Sequence, residues 1–164
     1  MPAFLANDIL RLWRTFCVNY EARSERVPEE KKAKGKLKNY KLKHSRLLTC
    51  YSALIYLLAV FESNKTVTPK DAMAMVEMTP TQRLEWILAL PSFSASHETV
   101  RKLMAQYELF LETTNTEEAN LVSLFLDKDR SKAAMDEAYT FGDLVYTLLS
   151  SLGKGNRFHR LLVV

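Results

Sequence analysis

Apolar side chains recur along this 164-residue chain with helical spacing, and one stretch sets the pattern for the rest. From Lys36 to Glu62 the sequence reads KLKNYKLKHSRLLTCYSALIYLLAVFE. Its first third is a ladder of cations and its remainder is apolar on nearly every side. A helix that is apolar all round must be covered on every side. Residues 47 to 61 are therefore expected at the centre of a bundle, with the cationic end left at its surface.

The other apolar runs predict the surrounding helices. A first helix is expected from Asn7 or Asp8, either able to cap its free amides, to about Ala22, with Ile9, Leu12, Trp13, Phe16, Cys17 and Tyr20 facing inward. Thr68 followed by Pro69, and Thr79 followed by Pro80, repeat one start signal: a hydroxyl cap, then a proline whose missing N–H costs nothing at the first helical position. Ser94 or Ser96 opens a helix to about Thr113. A short one ends near Leu126, and a long one runs from Ser131 to about Leu152, where Gly153 stops it. Between the first helix and the central one, RSERVPEEKKAKG lacks apolar periodicity and carries Pro28 and Gly35, so residues 23–36 read as a basic, mobile surface loop. No segment alternates as a strand would. The expected fold is all-α: a single helical domain over residues 1–164, a bundle of six or seven helices around a central apolar helix.

Composition narrows the setting. Only 4 Gly and 5 Pro leave few tight turns for a β-sandwich. Cys17 and Cys50, far apart and in helical context, read as buried thiols rather than a metal pair or disulfide. The N-terminus lacks a cationic leader with an apolar run, and no stretch reaches about 18 uncharged apolar residues. These features argue for a cytoplasmic protein with no membrane partner. The prompt entry of FLANDIL into a helix is consistent with a preceding domain, which would make this chain the C-terminal part of a longer protein.

Charge changes the picture more. The net charge of +4 is unevenly spread: ten Lys or Arg against four Glu lie between Glu21 and Arg46, a local +6. Such a cluster suits phosphate groups, and Arg11 and Arg14 on the first helix could extend it. On a helix over residues 37–62, Lys36, Asn39, Lys43 and Arg46 would share one side, with Lys38, Lys41 and Ser45 on a neighbouring one. A triphosphate or an RNA backbone would relieve their mutual repulsion, Lys acting as a point charge, Arg as a fork and Ser as a hydroxyl donor. Other chemistry is missing. His44, His97 and His159 form no zinc motif, phosphate-binding glycine loops are lacking, and the paired acids have cations or helix N-termini beside them.

The segments FLANDILRLWRTFCVNYE, KLKNYKLKHSRLLTCYSALIYLL and TPTQRLEWIL resemble the helical C-terminal portion of bacterial proteins that carry a DNA polymerase beta-type nucleotidyltransferase domain. The resemblance covers most of the chain and is strongest within residues 4–90. That superfamily's catalytic Gly-Ser turn and Asp-x-Asp metal pair are lacking in this sequence. The resemblance therefore implies a non-catalytic accessory domain, with Mg2+ belonging to a separate catalytic domain that would be its partner. It further implies triphosphate contacts from Lys43, Ser45 and Arg46, and more weakly from Lys41 and Tyr51.

Two other readings stay open. Lys38, Asn39 and His44, in KNYKLKH, nearly match the Arg-x4–6-His pattern of HEPN-type helical ribonucleases and toxin–antitoxin modules, with Lys in place of Arg. There His44 would move the proton of a ribose hydroxyl and Lys38 would stabilise the phosphate charge. A helical adaptor that binds only protein, through Trp13, Trp86 and the apolar tail, is the third.

Overall fold

The computed structural model describes residues 2–21, 29–156 and 159. It is an all-α bundle, with no strand among those residues. In order come α1 (Ala3–Glu21), α2 (Glu29–Lys41), a π-helical turn (Leu42–Arg46), α3 (Leu47–Asn64), α4 (Pro69–Glu77), α5 (Pro80–Leu88), a 3-10 turn (Pro91–Phe93), α6 (Ser94–Thr114), α7 (Glu118–Leu126) and α8 (Lys128–Gly153). Because α2, the π turn and α3 run on as one 36-residue rod, the described residues form seven separate helical pieces.

The rod has two unlike halves. Along α3, Leu48, Leu54, Ile55, Leu57 and Leu58 are at most 1% exposed, because the helix has apolar side chains on all faces and neighbours on all faces. Leu84 and Ile87 of α5, Val100 and Leu103 of α6, and Phe141, Val145, Leu148 and Leu149 of α8 close around it. α1 and α4 cover the remaining side, with Tyr56 packed on Trp86 at 4.7 Å between ring centres. By length and composition alone this rod could cross a membrane; in the fold most of its apolar window is buried against protein.

The α2 half is helical where a loop is expected. Residues 29–36 belong to α2, and residues 22–28 lie outside the described residues. Ala33, Leu37 and Tyr40 recur at four and three residues and form a narrow apolar stripe. It packs on Leu121, Val122 and Phe125 of α7, with Phe110 of α6 and Ala134 and Ala138 of α8. Glu29 and Glu30 sit in the first turn and Lys38 and Lys41 in the last, the arrangement a helix dipole favours. Few apolar residues suffice here because the stripe is only one residue wide and mates with a ready-made wall.

Both Thr-Pro starts form as the sequence predicts, each completed as a capping box: Thr68 with Asp71, Thr79 with Gln82. α1 begins earlier than expected, at Ala3, and α8 at Lys128 rather than Ser131, since Asp127 accepts the Arg130 N–H at 2.9 Å and caps it. Cys50 is buried and Cys17 half-buried, and burial pushes the Cys50 thiol up to about 11.

One buried cation joins three helices. Arg83 of α5 is 8% exposed and donates to Met75 O at 2.8 Å, Thr49 O at 3.2 Å and Ser52 Oγ at 3.1 Å. Backbone carbonyl oxygens near the end of α4 and in α3 thus take the place of a carboxylate.

Two stability measurements follow. In α2, a Cβ added to Gly35 would meet nothing within 4 Å, so Gly35→Ala should stabilise the protein by about 0.5–1 kcal/mol in urea unfolding, the helical preference of Ala over Gly; a loop at this position would give no gain. Arg83→Met removes three hydrogen bonds, two of them buried, and should cost about 2–4 kcal/mol in the same assay.

Candidate functional site

Once the Ala33–Leu37–Tyr40 stripe is committed to α7, the cations of α2 must face elsewhere. Lys31, Lys34, Lys38 and Lys41 follow one another at three- and four-residue spacing and so share a face. That face forms one wall of a cleft of about 1260 Å³. The opposing walls are the C-terminal half of α1, with Phe16, Asn19 and Tyr20, and the C-terminal half of α6, with Tyr107, Phe110, Leu111 and Thr114. Lys32, Gly35, Lys36 and Leu42 complete the α2 side, and Ser45 and Arg46 enter from the π turn.

The π turn governs that entry. Leu47 N–H reaches back five residues to Leu42 O, which fits one more residue into the turn than an α-helix holds. In an uninterrupted α-helix Arg46, five residues past Lys41, would lie about 140° around the axis from it. The wider turn takes back part of that rotation, and Arg46 lines the same cleft as Lys41. Its guanidinium lies over the Phe16 ring at 5.1 Å, a contact that tethers a long cation at the cleft wall.

No carboxylate among the described residues lines the cleft, while seven cations do. The closest approach of an acid on this helix is the exposed pair Lys34–Glu30, at 3.1 Å. Lys36 turns partly away and donates to Ser131 Oγ of α8 at 3.2 Å. The aromatic side is ordered by packing: Tyr107 lies nearly parallel to Phe110, 5.5 Å between centres, and Phe110 stacks on His44 at 4.6 Å with only 5° between the planes. Burial raises the phenol pKa of Tyr20, whose neutral hydroxyl can both donate and accept. An oxygen-rich anion with an attached flat ring would find both its charge and its ring matched. A hard divalent cation would not, since it requires carboxylate or carbonyl oxygens and the lining side chains are mostly cations and rings. Among the described residues no cluster of His, Cys, Asp and Glu is grouped to hold a metal.

The sequence candidates separate on this geometry. Lys38, Lys41, Ser45 and Arg46 meet at the cleft. Lys43 does not: its ammonium sits 4.1 Å above the exposed Tyr139 ring of α8. Tyr51 is half-buried edge-to-face against Trp13, 5.9 Å between centres, as part of the α1–α3 packing. Asn39 is half-buried and is not among the cleft residues. Arg11 is exposed and paired with Asp8 at 3.4 Å, and Arg14 is exposed. His44 is 2% exposed, boxed by Tyr40, Phe110 and Phe141, and its Nδ1 donates to Tyr40 O at 2.9 Å. Lys38, Asn39 and His44 therefore do not converge on one accessible point. In this arrangement the imidazole is shielded from solvent by its rings, which gives the residue a packing role.

Sequence reasoning passes over Lys31 and Lys34, which fall in the expected loop, and Asn19, Tyr107, Leu111 and Thr114, while Phe16 and Tyr20, expected to face the core, line the cleft. The lysines carry a readable signal, their three- and four-residue spacing opposite Ala33, Leu37 and Tyr40. The α6 residues carry none, because only the tertiary fold brings them opposite α2. Comparison with known proteins finds no matching family model, no similar curated protein and no similar solved structure.

Burial lowers the pKa of His44 below its ordinary 6.5, aided by the nearby Lys43 charge and opposed by the bond to Tyr40 O. The unfolded chain then binds a proton at a pH where the native chain still excludes it. Stability contributed by neutral His44 is full above pH 6.5 and is lost as pH falls from there toward the lowered native value. His44→Phe, which keeps the stack on Phe110, should flatten this acid-side loss when unfolding is compared between pH 7.5 and pH 5.5. An unchanged pH profile would mean that His44 titrates as an exposed residue does.

Proposed function

We propose that this chain is a phosphate-binding helical module whose cleft receives the phosphates of a nucleotide triphosphate or of a nucleic acid. In this reading it is the non-catalytic accessory portion of a nucleotidyltransferase. Mg2+ and the acids of phosphoryl chemistry are then supplied by a separate catalytic domain.

The observation that carries the reading is the charge of one concave surface: seven cations, no carboxylate among the described lining residues, and Ser45 between them. Lysines along one helix face repel one another. A bound polyanion converts that repulsion to attraction, with ammonium and guanidinium donors making charge-assisted hydrogen bonds. α2 keeps this face polar although its opposite side is buried, so the cations are held on a rigid element rather than on a loop. The resemblance to nucleotidyltransferase helical portions agrees on Ser45 and Arg46 and, more weakly, on Lys41. It assigns Lys43 and, more weakly, Tyr51 as well, which lie outside the cleft.

That difference supplies the test. Lys41→Ala/Arg46→Ala should weaken binding of a fluorescent ATP analogue, measured by anisotropy at low salt, by tenfold or more, since each lost charge-assisted bond is worth about 1.5–3 kcal/mol at most and less in the open cleft. Lys43→Ala should leave it within twofold. If Lys43→Ala abolishes binding and the cleft pair does not, the phosphates bind on the α8 side and the cleft assignment is wrong.

A further inference from the structure

The cleft is longer and more aromatic than a free triphosphate requires. Lys31 to Lys41 spans ten residues, or about 15 Å of helix, and Arg46 lengthens the cationic line to about 22 Å. Three phosphates of a nucleotide would engage one end of such a line and leave the other lysines uncompensated. A strand whose phosphates recur every 3.4 Å or more would engage it throughout, with about four to six nucleotides. Across the cleft, among the described residues, stand rings rather than more charge: Phe16 and Tyr20 on α1 and Tyr107 on α6, each only partly buried. Arg46 already lies over the Phe16 ring, so a base stacking nearby would extend an existing cation–ring contact. Cations on one wall and ring faces on the other are the two components of sequence-tolerant single-strand binding. A duplex, whose bases are stacked on one another and paired, would leave the ring wall unused.

Resting on the phosphate-binding reading of the cleft, we infer that its ligand is single-stranded nucleic acid of about four to six nucleotides. The α2 lysines track the backbone and the α1 and α6 rings stack the bases. RNA and DNA share this chemistry, and paired probes separate them.

The test is fluorescence anisotropy with the full chain and labelled oligo-U and oligo-dT of two, four, eight and sixteen nucleotides, an eight-base-pair duplex, and a labelled ATP analogue. Affinity should rise with length to about six nucleotides and then level. The octamer should bind at least tenfold more tightly than the ATP analogue and than the duplex. With about five phosphates engaged, octamer affinity should fall about a hundredfold between 50 and 200 mM salt. Lys31→Ala/Lys34→Ala, on exposed or half-exposed positions remote from the core, should weaken the octamer by tenfold or more and the ATP analogue by less than twofold. Tyr107→Leu should weaken the octamer about fivefold or more and spare the ATP analogue, with circular dichroism showing the helix content retained. Should Tyr107→Leu unfold the chain, the lysine pair decides alone. Equal affinity for the ATP analogue and the octamer, both reduced by Lys41→Ala/Arg46→Ala, overturns the single-strand inference while leaving the phosphate site standing. Duplex binding equal to the octamer overturns it too. Binding of none of the probes removes the phosphate-binding reading and this inference together.

Discussion

The burial of α3 is the constraint on which this structure depends. Its residues from Leu54 to Val60 are apolar around the whole circumference, and all are buried. At roughly 25 cal/mol per Å² of apolar surface, leaving even one face wet would cost several kcal/mol. Helices α1, α4, α5, α6 and α8 are consequently arranged about it, and their own apolar sides are narrower because each needs to match only one neighbour.

What happens beyond the N-terminal end of α3 follows from continuity. The same helix goes on through the π turn into α2, where only Ala33, Leu37 and Tyr40 remain apolar enough to bury. Helix α7 and parts of α6 and α8 meet that stripe, and every lysine not involved is turned toward solvent or the cleft. The charged cleft is thus a geometric by-product of a rod that changes character along its length. Its floor is fixed by aromatic packing: Phe110 touches His44 on one side and Tyr107 on the other, so core and cleft share a ring.

Local signals were legible and distant ones were not. Thr68 and Thr79 each announce a helix because a cap and its first turn are contiguous in sequence. The central helix is legible from its all-round apolarity. Lys41, Ser45 and Arg46 are legible as phosphate candidates because they crowd a short stretch. Residues 29–36 read as a loop because Gly35 and dense Lys and Glu are loop signals in isolation. The stabilising partner, the α7 face with Leu121, Val122 and Phe125, is about 85 residues further along the chain. His44 illustrates the opposite error. A histidine in a basic stretch reads as a candidate for proton transfer, yet a carbonyl bond four residues back and three rings make it a core residue. Arg83 is hidden likewise, since its partners are backbone oxygens and a hydroxyl rather than an acid.

The π turn at Leu42–Arg46 also sets the angular phase between the two halves of the rod. Closing this turn to an α-helical ladder with all its residues retained would turn α2 by roughly 100° relative to α3. Either the Ala33–Leu37–Tyr40 stripe would leave α7 or the α3 core would be twisted out of place. The wide turn therefore absorbs one extra residue and keeps the charged end of the molecule meshed with its apolar end at a single angle. The hydrogen-bond pattern of this one turn is as constrained as the identity of any side chain in it.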